Sequence, residues 1–184
     1  MKRPAIFLDR DGVLNAEKSY ITKLNQLEIF PYAKEAIDII HECGFYAIVI
    51  SNQSAIARGL MSEQELIKIN NKIEHDTGVD AIYYCPHHPN GCIKRFSIVC
   101  ECRKPKTGLI VKACNDFSID VEKSYVVGDR YSDILVGQRC GLKTVMLQSG
   151  YDFNDMQQKV IPDFIFDDLK GFAYNLLNEK FRCN

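Results

Sequence analysis

The chain has almost no net charge. Lys and Arg number 23 against 24 Asp and Glu, a balance of −1. Proteins that hold nucleic acid carry a basic face or stripe, and no global basic field exists here; no nucleic-acid partner is expected. No stretch approaches the ~18 consecutive apolar residues of a membrane span. Met1-Lys2-Arg3 is basic, but the apolar run behind it, Ala5–Leu8, stops at Asp9, too short for a secretory signal. No linker, low-complexity tract or internal repeat interrupts the chain. The expectation is a cytoplasmic protein with no membrane association and a single domain over residues 1–184, of ordinary globular composition at 46% apolar and 26% charged, long enough to bury a sizeable core. Cysteine is plentiful by contrast, with eight at positions 43, 85, 92, 100, 102, 114, 140 and 183. Several fall in helix or strand patterns, where a free thiol behaves as a small hydrophobe. In a reducing compartment, clustered Cys and His suggest metal before disulfide.

Apolar runs alternate with helical periodicity. Ala5–Leu8, Phe45–Ile50, Ala81–Tyr84, Tyr125–Val127, Lys143–Leu147 and Phe164–Phe166 read as strands. Between them, Pro31–Cys43 reads as a helix stopped by Gly44. Ser62 to Thr77 opens with a Ser62/Glu65 capping box and ends before Gly78. Thr107–Phe117, Asp133–Cys140 and Asp167–Lys180 complete the helices. Alternation of this kind predicts an α/β fold with a doubly wound, mostly parallel, Rossmann-like sheet, whose ligands bind beyond the carboxyl ends of the strands.

The polar residues of interest sit at those ends. Ala5-Ile6-Phe7-Leu8-Asp9-Arg10-Asp11-Gly12 places two carboxylates two residues apart, on one side if the extended backbone persists. They repel unless a cation lies between them or one stays protonated. Ser51 and Asn52 follow the second strand, Asp129 the fourth, and Lys104 precedes the helix before it. Alone, Asp-x-Asp-Gly can be a solvated acidic turn; the convergence argues for a site. A carboxylate can attack phosphorus, but at 4 Å from a phosphate dianion it is repelled by about 8 kcal/mol at an effective dielectric near 20. Mg²⁺, which prefers oxygen ligands, answers that charge, on the Asp9 and Asp129 carboxylates and the Asp11 backbone carbonyl. Asp9 is then the nucleophile and Asp11 the proton donor and later acceptor. Ser51, the Asn52 amide and Lys104 hold the phosphoryl oxygens. Asp133 caps the next helix or steadies Lys104.

A second cluster lies in Cys85-Pro86-His87-His88-Pro89 and Cys100-Glu101-Cys102-Arg103-Lys104. Cys-x-His and Cys-x-Cys, twelve residues apart, supply enough ligands for a closed, structural Zn²⁺ site in a loop over 85–102. Spacing alone leaves Cys92 and His88 as competing ligands. Arg103, beside Lys104, is a candidate contact for a second anionic group. Lys94 and Arg95 read as solvated, and His41 and His75 as surface residues on helices.

These residues resemble the four motifs of the haloacid dehalogenase (HAD) superfamily, over nearly the whole chain. The resemblance implies a HAD-like phosphatase with Mg²⁺ and an aspartyl-phosphate; the second Asp points to phosphatase rather than dehalogenase. Phe7–Asn15, Ser51–Gly59 and the Cys/His segments are further similar to the heptose 1,7-bisphosphate 7-phosphatase family, which makes precursors of bacterial lipopolysaccharide and other surface polysaccharides. Histidinol-phosphate phosphatases share the zinc site on a shorter loop, and the long His87–Cys100 interval favours the heptose family. The resemblance implies zinc on Cys85, His87, Cys100 and Cys102, and a small sugar phosphate held by Glu17, Lys18, Ser19, Tyr20, Ser51, Asn52, Gln53, Ser54, Arg103, Lys104 and Arg130. Ser51 stands where Thr is commoner, Ala55 where Gly is, and Arg130 where Lys is. With no large cap between motifs, an open site and a monomer are expected. The alternatives are another small-molecule phosphatase, histidinol phosphate foremost, and a phospho-accepting receiver domain, in which the zinc loop has no role.

Overall fold

A computed structural model describes residues 2–150 and 160–182. Six strands, β1 (Ala5–Leu8), β2 (Tyr46–Asn52), β3 (Ala81–Cys85), β4 (Tyr125–Gly128), β5 (Lys143–Leu147) and β6 (Phe164–Phe166), form one sheet. Its order is β3-β2-β1-β4-β5-β6 and every pairing is parallel. The helices are α1 (Ala33–Glu42), α2 (Glu63–Thr77), α3 (Gly108–Asp116), α4 (Tyr131–Cys140) and α5 (Leu169–Arg182).

Strand alternation sorts the core into two layers. Ile6 and Leu8 of β1 pack with Ile37 and Ile40 of α1, Ile69 of α2 and Phe172 of α5. Ala5 and Phe7 face the other way, onto Ile110 of α3 and Val136 of α4. All four β1 residues are buried, as a central parallel strand covered on both faces requires. Truncating a side chain such as Phe7 to alanine would cost about 3–5 kcal/mol.

Helix ends follow local chemistry. The Ser62 hydroxyl accepts from the Glu65 N–H at 3.2 Å, and Gly78 closes α2 in the left-handed region, where glycine bears no Cβ penalty. α4 starts two residues ahead of the sequence expectation because Asp133 is not its first residue. Its carboxylate reaches back to the Arg130 N–H at 3.1 Å, satisfying an amide that the helix itself leaves open. α1 starts later than predicted, since Pro31 and Tyr32 are taken up in a turn. His41, read as a surface residue, is instead half-buried and joined to Asp80 at 2.9 Å. Among the described residues, β1 and α1 are separated by no element larger than a 3-10 turn at Leu24–Gln26.

The strand order reverses between β1 and β4. Such a switch point opens a crevice at the strands' carboxyl ends, where Asp9 follows β1 and Asp129 follows β4.

Candidate active site

At that crevice, Asp9, Asp129 and Asp133 each bring a carboxylate oxygen within 4.8 Å of the others. All three are buried. One ammonium enters among them: Lys104 Nζ is 3.0 Å from Asp9 and 2.6 Å from Asp133. Burial pushes the Lys104 ammonium toward neutrality, but Asp133 and then Asp9 outweigh it and hold its pKa above the ordinary lysine range. Lys104 is fixed through its backbone as well. Its N–H donates to the Asn52 side chain at 3.0 Å, and the Asn52 amide returns a bond to its carbonyl at 3.1 Å.

Glycine makes the corner possible. Gly12 turns the chain at φ +80, and a Cβ there would lie 2.3 Å from Asp129 Oδ2. A Cβ on Gly128 would lie equally close to Asp133 Cβ.

Extended geometry ends at Asp9. The Leu14 N–H donates to the Arg10 carbonyl and the Gly12 N–H to that of Asn15, so residues 10–15 fold into a tight turn. Asp11 still lines the crevice, but its carboxylate lies outside the three-carboxylate group. Arg10 holds it with Nη2 3.0 Å from both oxygens, Asn15 donates at 2.9 Å and Gln53 at 2.9 Å. Burial pushes the Asp11 carboxyl up, yet Arg10 and the two amides together hold it below its ordinary value. The cation that relieves the acidic pair is thus Arg10, 1% exposed and tied also to Asn70 of α2 at 3.2 Å. The Gln53 amide also donates to the Ser51 hydroxyl at 2.8 Å, linking β2's end to Asp11.

These groups floor an open cleft of about 430 Å³. Of the sequence-predicted contacts, Glu17, Ser19, Tyr20, Ser51, Asn52, Gln53, Ser54, Arg103, Lys104 and Arg130 line it. Lys18 does not; its ammonium is turned to Glu28 at 2.9 Å. Glu17 and Arg130 meet across the cleft at 2.7 Å. Burial works against the Arg130 charge, while Glu17, Asp129 and Asp9 hold its pKa up. Sequence reasoning gave no role to Arg10, Arg58 or Ser132, and treated His88 as a competing metal ligand; all four line the cleft.

Beyond β3, four donors converge. Cys85 Sγ is 3.5 Å from Cys100 Sγ and 3.1 Å from Cys102 Sγ, and the latter two are 3.3 Å apart. His87 Nδ1 lies 3.3 Å from Cys102 and 3.7 Å from Cys85. A tetrahedral zinc with ~2.3 Å bonds spaces its sulfurs about 3.7 Å apart, so the set is a slightly contracted tetrahedron fit for that ion. Cys92 is outside it, its thiol donating to the Arg58 carbonyl at 3.0 Å. His88 is outside it too. Burial, then Arg103 and Arg58, depress its pKa.

Residues 101–172 match the HAD-hydrolase-like family. A Yersinia pestis protein named D-glycero-beta-D-manno-heptose-1,7-bisphosphate 7-phosphatase is 38% identical over 149 residues, covering 78% of this chain and 79% of its own. The Vibrio cholerae protein of that name is 32% identical over 98% of this chain and all of its own. A crystal structure of D,D-heptose 1,7-bisphosphate phosphatase from B. bronchiseptica, complexed with magnesium and phosphate, aligns with TM-score 0.83 at 28% identity, covering 96% of this chain and 99% of that one. With such identity sustained along the chain and the same fold beneath it, the protein belongs to the D-glycero-β-D-manno-heptose-1,7-bisphosphate 7-phosphatase family of the HAD superfamily.

Proposed function

We propose that this phosphatase removes the 7-phosphate of D-glycero-D-manno-heptose 1,7-bisphosphate through an aspartyl-phosphate on Asp9, in cytoplasmic synthesis of bacterial heptose precursors, acting as a monomer of one domain. The observation that carries the reading is the corner itself: a buried carboxylate at the end of β1, touched by the Lys104 ammonium and backed by Asp129 and Asp133. Three buried carboxylates with oxygens within 4.8 Å of one another are a donor set suited to a divalent cation. The Asp9 and Asp129 carboxylates, with the Asp11 backbone carbonyl, would hold Mg²⁺, whose chemistry is to screen nucleophile from phosphate and draw charge from the phosphoryl oxygens. Asp133 is engaged by Lys104 and the α4 cap, so its task is to position Lys104.

In the first step an Asp9 oxygen bonds to phosphorus as the bond to the sugar oxygen breaks, and Asp11 gives that oxygen a proton. In the second, water attacks the same phosphorus, Asp11 takes its proton, and the bond to Asp9 breaks. At rest Asp11 is held ionised, as the second step needs. An arriving phosphate dianion raises its pKa and so favours the protonated form the first step needs. Ser51, the Asn52 N–H and Lys104 hold the phosphoryl oxygens.

Arg103 and Arg130, which line the cleft, suit a second anionic group. They suit histidinol phosphate poorly, since its far end carries an ammonium. Cys85, His87, Cys100 and Cys102 would hold Zn²⁺ with four protein ligands, and its task would be to fix the loop that presents Arg103.

Phosphate release with Mg²⁺ from both anomers of heptose 1,7-bisphosphate and from histidinol phosphate tests the reading. Preference for a heptose bisphosphate is expected, the β anomer named for the relatives being the first to try. Preference for histidinol phosphate would overturn the assignment.

A further inference from the structure

Arg58 sits on the turn after β2, its backbone N–H bonded to the Ser54 carbonyl at 3.0 Å. The zinc loop is laid against this turn: the Cys92 and Ile93 N–H groups both donate to the Ala57 carbonyl. Across the cleft wall, Arg58 Nη2 is 3.3 Å from His88 Nε2. That contact does not satisfy both partners. His88 Nδ1 accepts from the Asn90 N–H at 3.2 Å, which places the ring proton on Nε2. A guanidinium has no acceptor to offer, and two donors therefore face each other. Arg58 Nε is itself buried and has no hydrogen-bond partner among the described residues. The other cation on this wall, Arg103, leans on the His87 carbonyl at 3.3 Å. No carboxylate pairs with Arg58 or Arg103 among the ion pairs of the described residues.

A buried donor without an acceptor is unfavourable, and here the shortfall faces the cleft. We infer that Arg58, presented by His88, binds the phosphate of the substrate that is not transferred and so sets the preference for bisphosphates over monophosphates. Arg58 supplies Nε and Nη2, the two adjacent donors of a fork that fits two phosphate oxygens at once. The His88 Nε2–H is a third donor beside them. The inference rests on the bisphosphate reading above.

The test separates the two. For wild type and Arg58→Ala, the inhibition constants of fructose 1,6-bisphosphate and fructose 6-phosphate are measured against p-nitrophenyl phosphate hydrolysis. Wild type is expected to bind the bisphosphate ~10–100-fold more tightly, as charged hydrogen bonds of this kind imply. The Arg58→Ala variant should lose most of that ratio with turnover of p-nitrophenyl phosphate unchanged, and Arg58→Lys should recover part of it. A wild-type ratio near one, or a ratio intact in Arg58→Ala, overturns the inference. Equal weakening of both inhibitors would mark Arg58 as a structural residue and overturn it too. Turnover of heptose 1,7-bisphosphate by the wild type is scored separately. Its absence, with the Arg58-dependent ratio intact, would fault the substrate assignment alone.

Discussion

The guanidinium of Arg10 grips both carboxylate oxygens of its sequence neighbour Asp11, with Nη2 3.0 Å from each. Replacing Asp11 with asparagine would leave that buried cation without its charge partner, and breaking such a pair costs about 3 kcal/mol. Because the folded carboxyl sits below its unfolded value of ~3.9, its stabilisation is complete above about pH 4 and fades as pH falls through the folded pKa. The gap in melting temperature between wild type and Asp11→Asn should be constant from about pH 7 to 5 and close below about 4. A gap that widens in acid would contradict the Arg10 account.

Asp9→Asn should reduce phosphate release by at least ~10³-fold, since the nucleophile of a two-step transfer is lost. Lys104 keeps its Asp133 partner at 2.6 Å, so the circular dichroism spectrum should match wild type. Near-normal turnover in this variant would remove Asp9 from its role.

Lys104→Met takes away the ammonium beside buried Asp9 and Asp133. Removing one partner of a buried ion pair costs about 3–5 kcal/mol, and denaturant unfolding should register a loss of that size. If Mg²⁺ binds there, adding it should restore more stability to the variant than to wild type; calorimetry with and without the ion would decide.

Gly12→Ala should be worse than an ordinary turn substitution. The backbone is at φ +80, and the new methyl would meet Asp129 Oδ2 at 2.3 Å. Strain of this kind costs about 1–3 kcal/mol, and the displaced carboxylate should raise the Mg²⁺ concentration needed for half-maximal activity. An unchanged Mg²⁺ requirement would show that Asp129 is not a ligand.

Metal analysis should find about one zinc per chain, the complement of a closed four-ligand site. Cys100→Ser combined with Cys102→Ser should abolish it. A wild-type chain without zinc would refute the structural role of the loop.

Much of this was open to a reader of the sequence. β1 and β4 are short apolar runs ended by Asp or Gly-Asp, and period-2 alternation together with strand–helix alternation is enough to infer a parallel sheet and its reactive edge. Residue type and spacing pointed to a Cys/His cluster but left Cys92 and His88 in competition; the family resemblance implied Cys85, His87, Cys100 and Cys102, and these are the four that the structure brings together. Arg10 was opaque for a physical reason. A charged residue between two aspartates reads as solvated, and only the packing of Asn70 from α2, sixty positions away, makes it a buried one. The side on which Asp11 points was equally hidden, because the turn at residues 10–15 cancels strand alternation. Arg58 gave no periodic or compositional signal. Its importance comes from the zinc loop lying against its turn, a contact between segments roughly thirty residues apart.

Arg103 and Lys104 are adjacent, yet they are anchored to different bodies. Lys104 is clasped through both its N–H and its carbonyl by Asn52 at the end of β2, whereas Arg103 leans on the Cys/His loop. If zinc fills the Cys/His cluster as proposed, its loss would loosen the hold on Arg103 before that on Lys104, and selectivity among phosphorylated sugars would fall before bond cleavage does.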